Sequence, residues 1–330
     1  QTGNYSLNSA KLNIVQRPIS TVYLTKLYDA STTVQASDLQ TMSNLVGSET
    51  LTLTGNSTIS DANVGTKTVN TGGFTLNDQA GANASSGGLA SNYILSGGTH
   101  QLVINQRPLN ATLARQYDGT TAAAGSTLSS FDALQGGETL TMTGSGTAAS
   151  ANVANGIAMS SNGNLALADG TGAASNYSLN STVINIAKRV LNSSGSKIYD
   201  ANTNALAGAI TLSNLVSGEA LNHSGTATIG SANAGSYTIS NLSGISIADG
   251  SGGAASNYTL TGGTHNFTVN RRPVSVSGTR LYDATTNAVA SDLSTHANLV
   301  GTQTLTLSGT GTIASKDVGS NKTVSVGTLA

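Results

Sequence analysis

Apolar and hydroxyl-bearing residues alternate through Thr50-Leu51-Thr52-Leu53-Thr54, Thr139-Leu140-Thr141-Met142-Thr143 and Thr304-Leu305-Thr306-Leu307-Ser308. A period of two predicts half-buried antiparallel strands with an apolar inner face and a hydroxyl-rich outer one. Glycine follows each run, at Gly55-Asn56, Gly144-Ser145 and Gly309-Thr310, and again at Gly225-Thr226. Because glycine takes positive φ at no steric cost, a turn is expected at each. Further strands are expected after Asn63-Val64-Gly65, Asn152-Val153-Ala154, Asn233-Ala234-Gly235 and Asp317-Val318-Gly319, and a long one through Tyr93 to Ile104. A helical pattern is confined to short windows at 37–46, 128–134, 210–216 and 292–300. Such strand-rich units predict an all-β fold of small antiparallel domains, immunoglobulin-like sandwiches or β-grasp-like sheets, with one short helix each.

The pattern repeats. Lys26-Leu-Tyr28-Asp29, Arg115-Gln-Tyr117-Asp118, Lys197-Ile-Tyr199-Asp200 and Arg280-Leu-Tyr282-Asp283 follow one another at intervals of 89, 82 and 83 residues. Asn4-Tyr5, Asn92-Tyr93, Asn176-Tyr177 and Asn257-Tyr258 keep the same phase, as do Arg17, Arg107, Arg189 and Arg272. A fixed period means tandem copies of one unit, and a period this long argues against a β-helix, whose coils repeat at roughly 20 residues. Residues 1–18 are expected to be the last strand of a preceding repeat, followed by repeats at 19–108, 109–190 and 191–273 and a truncated one at 274–330. End to end they would form an elongated rod in which each repeat's partners are its neighbours. All 3 prolines, Pro18, Pro108 and Pro273, directly follow Arg17, Arg107 and Arg272. A fixed φ there stiffens the passage between units.

Charged residues make up 9% of the 330, and the net charge is −1. No field draws phosphate backbones, so nucleic acid is not an expected partner. With Cys 0, packing and hydrogen bonds must hold each unit without disulfides or thiolate metal sites. No apolar run is long enough to span a bilayer, so this segment is not expected to insert in a membrane.

In the basic-x-Tyr-Asp phrase, Tyr28, Tyr117, Tyr199 and Tyr282 are expected to anchor cores poor in other aromatics. Asp29, Asp118, Asp200 and Asp283 are expected to cap the turn that follows. The rival assignment is a platform for weak stacking of exopolysaccharide or host glycan, multiplied by avidity. The basic residues Arg17, Arg107, Arg189 and Arg272 are candidates for fixing the angle between neighbours. Loops at Asp169-Gly-Thr-Gly172 and Asp249-Gly-Ser-Gly252 invite calcium, but one carboxylate per loop is few for an ion that takes six to eight oxygens, and no cofactor is expected. His100 and His265 are expected as strand residues at a rim. No Ser, His and acidic set recurs in phase, so no enzymatic activity is expected.

Read in order, these landmarks resemble the YDG (or MBG) repeat, which occurs in tandem in very large secreted bacterial adhesins, including filamentous haemagglutinin-like proteins exported by two-partner secretion. The matching residues are Tyr117-Asp118-Gly119-Thr120-Thr121, Gly137-Glu138-Thr139-Leu140, Gly218-Glu219-Ala220-Leu221, Asp61-Ala-Asn63-Val64-Gly65-Thr66-Lys67-Thr68-Val69, the Asn-Tyr strand and the Arg-Pro pairs. Ala30, Ala201 and Ala284 replace the glycine of the motif, so glycine is not expected to be required at that position. The resemblance implies a secreted or cell-surface stalk, on a Gram-negative outer surface, that projects a distal binding domain in adhesion, aggregation or biofilm formation. Other copies of the stalk are further candidate partners.

Overall fold

The alternating runs at 50–54 and 139–143 form strands in the computed structural model, which describes residues 2–79 and 87–330, whereas the run at 304–308 lies in no strand. Two compact units divide the chain, Gln1–Ala187 and Lys188–Ala330. Each holds two repeats.

In the first repeat, Leu39–Ser43, Thr21–Leu27, Gln101–Asn105 and Gly65–Thr68 form a sheet in that spatial order, and Thr33–Gln35, Leu51–Thr58 and Phe74–Asp78 form another. Leu24 and Leu102, register partners on the central strands, are fully buried. Val22, Val34, Leu53, Ile104 and Phe74 are buried in the same core. All-β tandem domains are therefore as expected, but the sheet is mixed. The first and last strands of the repeat run parallel, Tyr23 opposite Gln101 through Leu27 opposite Asn105. Arg107–Gln116 with Tyr177–Ala187 and Asn192–Ile198 with His265–Asn270 are the same parallel pair in the second and third repeats. The intervening strands supply the long crossover that a parallel pair needs.

The windows with a helical pattern are strands. A single 3₁₀ turn at Ala36–Asp38 leads into Leu39–Ser43, and the counterparts are Leu128–Phe131, Ile210–Ser213 and Thr295–Ala297. So short a segment does not recover the cost of nucleating a helix, whereas pairing with the first strand satisfies its backbone along an existing edge. Nor is Gly55 the tip of a turn. Leu51–Thr58 continues through it with a bend at φ 92°, pairing before it with Phe74–Asp78 and beyond it with Thr33–Gln35. A side chain here would drive its Cβ to 2.3 Å from the Gly73 carbonyl oxygen, so glycine is required. Leu221–Ile229 bends in the same way at Gly225, φ 102°.

The long Asn-Tyr strand is continuous only as Tyr177–Ala187. In the first and third repeats it breaks at Gly97 and Gly262 into Tyr93–Ile94 with Gln101–Asn105 and Tyr258–Thr259 with His265–Asn270. Arg17–Pro18 pairs with Tyr93–Ile94, so the basic residue is the first of the repeat it opens. In the fourth repeat Ser275–Ser277 pairs with Thr295–Ala297, and Asn287–Val289, Thr310–Ile313 and Val324–Ser325 form a second small sheet. Among the described residues no parallel strand lies beside Ser275–Ser277, and Leu281 is 91% exposed.

Candidate functional site

Each basic-x-Tyr-Asp phrase closes a loop around a nearly buried cation. Lys26 reaches Asp29 at 2.9 Å and donates to the carbonyls of Ser31 at 2.8 Å and Thr33 at 2.9 Å. Lys197 repeats this with Asp200 and the carbonyls of Asn202 and Asn204. Arg115 and Arg280 do so with Asp118 and Asp283. The carboxylate also accepts the backbone N–H two residues on, from Ser31, Thr120, Asn202 and Thr285, which is the turn cap expected of it. Burial works against the charge of Asp118, but the N–H and hydroxyl of Thr120 and the Arg115 guanidinium outweigh it and hold the carboxyl below its usual range. The backbone N–H of Thr285 leads the same downward shift at Asp283.

The residue after the aspartate is left-handed in all four loops, at φ 58° for Ala30, 78° for Gly119, 63° for Ala201 and 60° for Ala284. The position therefore does favour glycine. Alanine occupies it at a cost of about 1 kcal/mol, which the loop's hydrogen bonds absorb.

The tyrosine of the phrase couples repeats within a unit. Tyr28, 3% exposed, leaves the first repeat and meets the Asn-Tyr pair of the second, its ring edge-on to Tyr177. Its hydroxyl donates to Glu138 Oε1 at 2.5 Å, and Tyr177 donates to Oε2 of the same carboxylate at 2.6 Å. Tyr177 also accepts the Gln135 N–H at 3.1 Å. Beside this triad, Asn176 accepts the Val64 N–H at 2.9 Å and donates to Asn63 Oδ1 at 3.0 Å. Burial, then the bond to Glu138, pushes Tyr177 up to about 12, and the same causes raise Tyr28 further. Both phenols thus stay neutral donors to one carboxylate. In the other unit Tyr199 receives a bond from Gln303, which stands where Glu138 does, at 2.6 Å. Tyr117 is buried, and Tyr282 is 60% exposed.

Glu138 was legible only as part of a motif without a role. The signal was its phase: Glu49 and Glu219 bind the tyrosine of their own repeats, Tyr93 and Tyr258, in the same way.

The arginines clamp inside the repeat that they open. Arg17 donates through Nε to the Asn44 carbonyl at 2.8 Å and through a terminal nitrogen to Asn44 Oδ1, while Asn44 Nδ2 returns a bond to the Pro18 carbonyl at 2.7 Å. Arg189 with Asn214 and Val190, and Arg272 with Asn298 and Pro273, repeat the clamp. Arg272 also donates into the preceding repeat, to the Tyr199 carbonyl. At Arg107 the clamp is missing, because Ala133 stands at the asparagine position and Arg107 Nε is buried without a partner among the described residues. Tyr28, Asn63, Glu138, Asn176 and Tyr177 are among the side chains that cross the junction of the first unit.

His100 and His265 are not rim residues but buried braces. His100 accepts the Val22 N–H at Nδ1 and reaches the Leu95 carbonyl through Nε2 at 2.7 Å, and His265 bridges Ser193 and the Leu260 carbonyl. Asp169 and Asp249 each cap the turn before the Asn-Tyr pair, accepting the N–H of Ala174 or Ala255 at 2.7 Å. Among the described residues no three His, Cys, Asp or Glu side chains converge as a metal site would require.

No curated protein and no solved structure matches the chain. A family model does. The YDG domain matches four times, over residues 9–100, 105–184, 187–265 and 268–330, and the chain belongs to that family as a tandem array of its repeats.

Proposed function

We propose that the chain is a load-bearing spacer of a secreted or cell-surface bacterial adhesin, holding a binding domain away from its anchor in adhesion, aggregation or biofilm formation. One observation carries this: the first and last strands of a repeat are parallel neighbours at the centre of its sheet. The chain enters a repeat at one end of this pair and leaves at the other. Tension on the ends pulls the two strands in opposite directions along their length, so the ladder is loaded in shear and its bonds must yield together rather than one after another. Tyr28, Glu138 and Tyr177 add a neighbour-to-neighbour contact that buries aromatic area. A sparsely charged surface and the scarcity of Lys and Arg, 14 in 330 residues, leave few sites for trypsin-like proteases.

Pulling single molecules by their ends tests the proposal. Unfolding steps should release one repeat each, about 80 residues at roughly 3.4 Å per residue, at forces well above those of domains whose terminal strands unzip. Extension at low force without steps would overturn it. Saturable binding to a polysaccharide panel would favour a glycan-binding array instead.

A further inference from the structure

We propose that His100 is an acid-sensitive latch. Taking up a proton releases the turn at residues 95–100 and loosens the first repeat, while the third repeat keeps its brace and the second has none to lose.

The latch follows from which atoms can donate. A main-chain N–H only donates and a carbonyl oxygen only accepts, so the bonds of His100 to the Val22 N–H at 3.0 Å and the Leu95 carbonyl at 2.7 Å fix its tautomer. Nε2 carries the proton and Nδ1 is bare. A second proton has only Nδ1 to go to, where it would point at the Val22 N–H, a backbone group that cannot turn away. The ring is 5% exposed, so water does not come between the two donors unless the turn moves. Gly98 presses on it: a Cβ there would stand 2.9 Å from His100 Cε1 and 2.2 Å from the Ile19 carbonyl oxygen. Among the described residues no carboxylate bonds to the ring to hold an imidazolium. On the surrounding elements Arg17 is held by Asn44, Lys26 by Asp29 and Lys67 by Asp61, and Tyr93 is bonded to Glu49. Tyr23 takes the other face of its strand from Val22, and neither Leu39–Ser43 nor residues 95–99 carry a titratable side chain.

The other repeats supply the contrast. His265, 6% exposed, is bound through Nε2 to the Leu260 carbonyl at 2.8 Å, but its Nδ1 meets the Ser193 hydroxyl at 2.9 Å, while the Ser193 N–H goes to the Thr264 carbonyl. A hydroxyl donates or accepts by rotating. When Nδ1 gains a proton, Ser193 Oγ turns to accept it and both bonds of the brace persist. Around this ring Arg189 is held by Asn214, Lys197 by Asp200, Tyr237 by the Asn233 carbonyl and Tyr258 by Glu219. In the second repeat Thr182 lies opposite Ala111, as His265 lies opposite Ser193. The stretch from Leu179 to Thr182 is two residues shorter than that from Leu95 to His100, and the strand Tyr177–Ala187 runs on without a turn. Thr182 Oγ1 is buried without a partner among the described residues. Of the three repeats, the first alone holds an imidazole against a donor that cannot reorient.

The opened turn binds the proton and the latched one does not, so stability is complete above the ordinary histidine range, about pH 6.5, and is lost beneath it, the opening equilibrium growing about tenfold per pH unit. Native-state hydrogen exchange on the whole chain, corrected for the intrinsic pH dependence of exchange, reads this at the Val22 amide. Its protection should fall about tenfold between about pH 6 and 5, and that of the Ser193 amide should not. In His100→Asn, which keeps an acceptor oxygen but no titrating ring, the fall should vanish even where overall stability drops. Nitrogen-edited spectra of the 4 histidines give a second readout on the unmodified chain. His100 should keep a bare Nδ1 and a protonated Nε2 wherever Val22 stays protected, while His265 titrates with its repeat folded. A doubly protonated His100 beside a protected Val22 amide, a protection that ignores pH, a fall that persists in His100→Asn, or a His265 that behaves as His100 does would each overturn the inference.

Discussion

The Tyr28 and Tyr177 rings meet edge to face, their centroids 5.2 Å apart and their planes at 77°, and both hydroxyls end on Glu138. One tyrosine belongs to the first repeat and the other to the second. The carboxylate thus ties a junction together from a position that neither tyrosine motif contains.

Removing that carboxylate strands two buried donors. Glu138→Ala should destabilise the first unit by about 2–4 kcal/mol, since each buried phenol left without its acceptor costs roughly 1–3 kcal/mol. Glu138→Gln, which installs the residue found at 303, should cost about half as much. Urea unfolding of both variants followed by tyrosine fluorescence decides this, and equal losses would contradict it.

Alkali should loosen the same junction. Burial and the bonds to Glu138 raise the folded-state values of Tyr28 and Tyr177 above the ordinary 10.0, to about 12 for Tyr177. A raised value means that the stabilisation is complete below pH 10 and is lost as pH climbs from there through the folded-state value. Stability measured in urea should therefore fall steeply between pH 10 and 12, and the fall should be shallower in Tyr177→Phe. Tyrosinate absorbance should show phenols that ionise only on unfolding.

Installing asparagine at Ala133 should complete the missing clamp. The position already has positive φ, 32°, which asparagine tolerates better than alanine, and the orphaned Arg107 Nε would gain an acceptor. Ala133→Asn is expected to stabilise the second repeat by about 1 kcal/mol. A differential scan that shows no upward shift would mean that Arg107 is satisfied by other means.

The left-handed residue of the signature loop gives a reciprocal pair. Gly119→Ala should destabilise by about 1 kcal/mol, and Ala201→Gly should be stabilising by a few tenths, because relief of the αL penalty is partly cancelled by glycine's larger unfolded entropy. Ala201 is exposed and loses little packing, whereas Ala30 packs its methyl against the core and near Gly136 and is the wrong site for this comparison. Equilibrium unfolding of the two variants should move in opposite directions.

The strands, the repeat and the role of each aspartate were legible because they depend on neighbours in sequence: a period of two, a fixed phase, a carboxylate two residues before the N–H it accepts. What escaped depends on distant partners. Nothing within 39–43 announces that its backbone will find an edge at Thr21–Leu27, so a short window with helical spacing was misleading. Parallel pairing of first and last strands is a property of topology, invisible in either strand alone. Arg17 looked like a junction residue by position, yet its partner Asn44 lies 27 residues further on in the same repeat. Gly55 shows both sides of the matter, since its positive φ was readable while its place at a bend, not a turn, was set by two separate partner strands.

That bend has a consequence for how a repeat fails. A single length of backbone is stitched on one side of Gly55 to Phe74–Asp78 and on the other to Thr33–Gln35, so neither seam can open without tugging on the other. Partial melting has no natural stopping point, and a protease finds a repeat either whole or wholly undone.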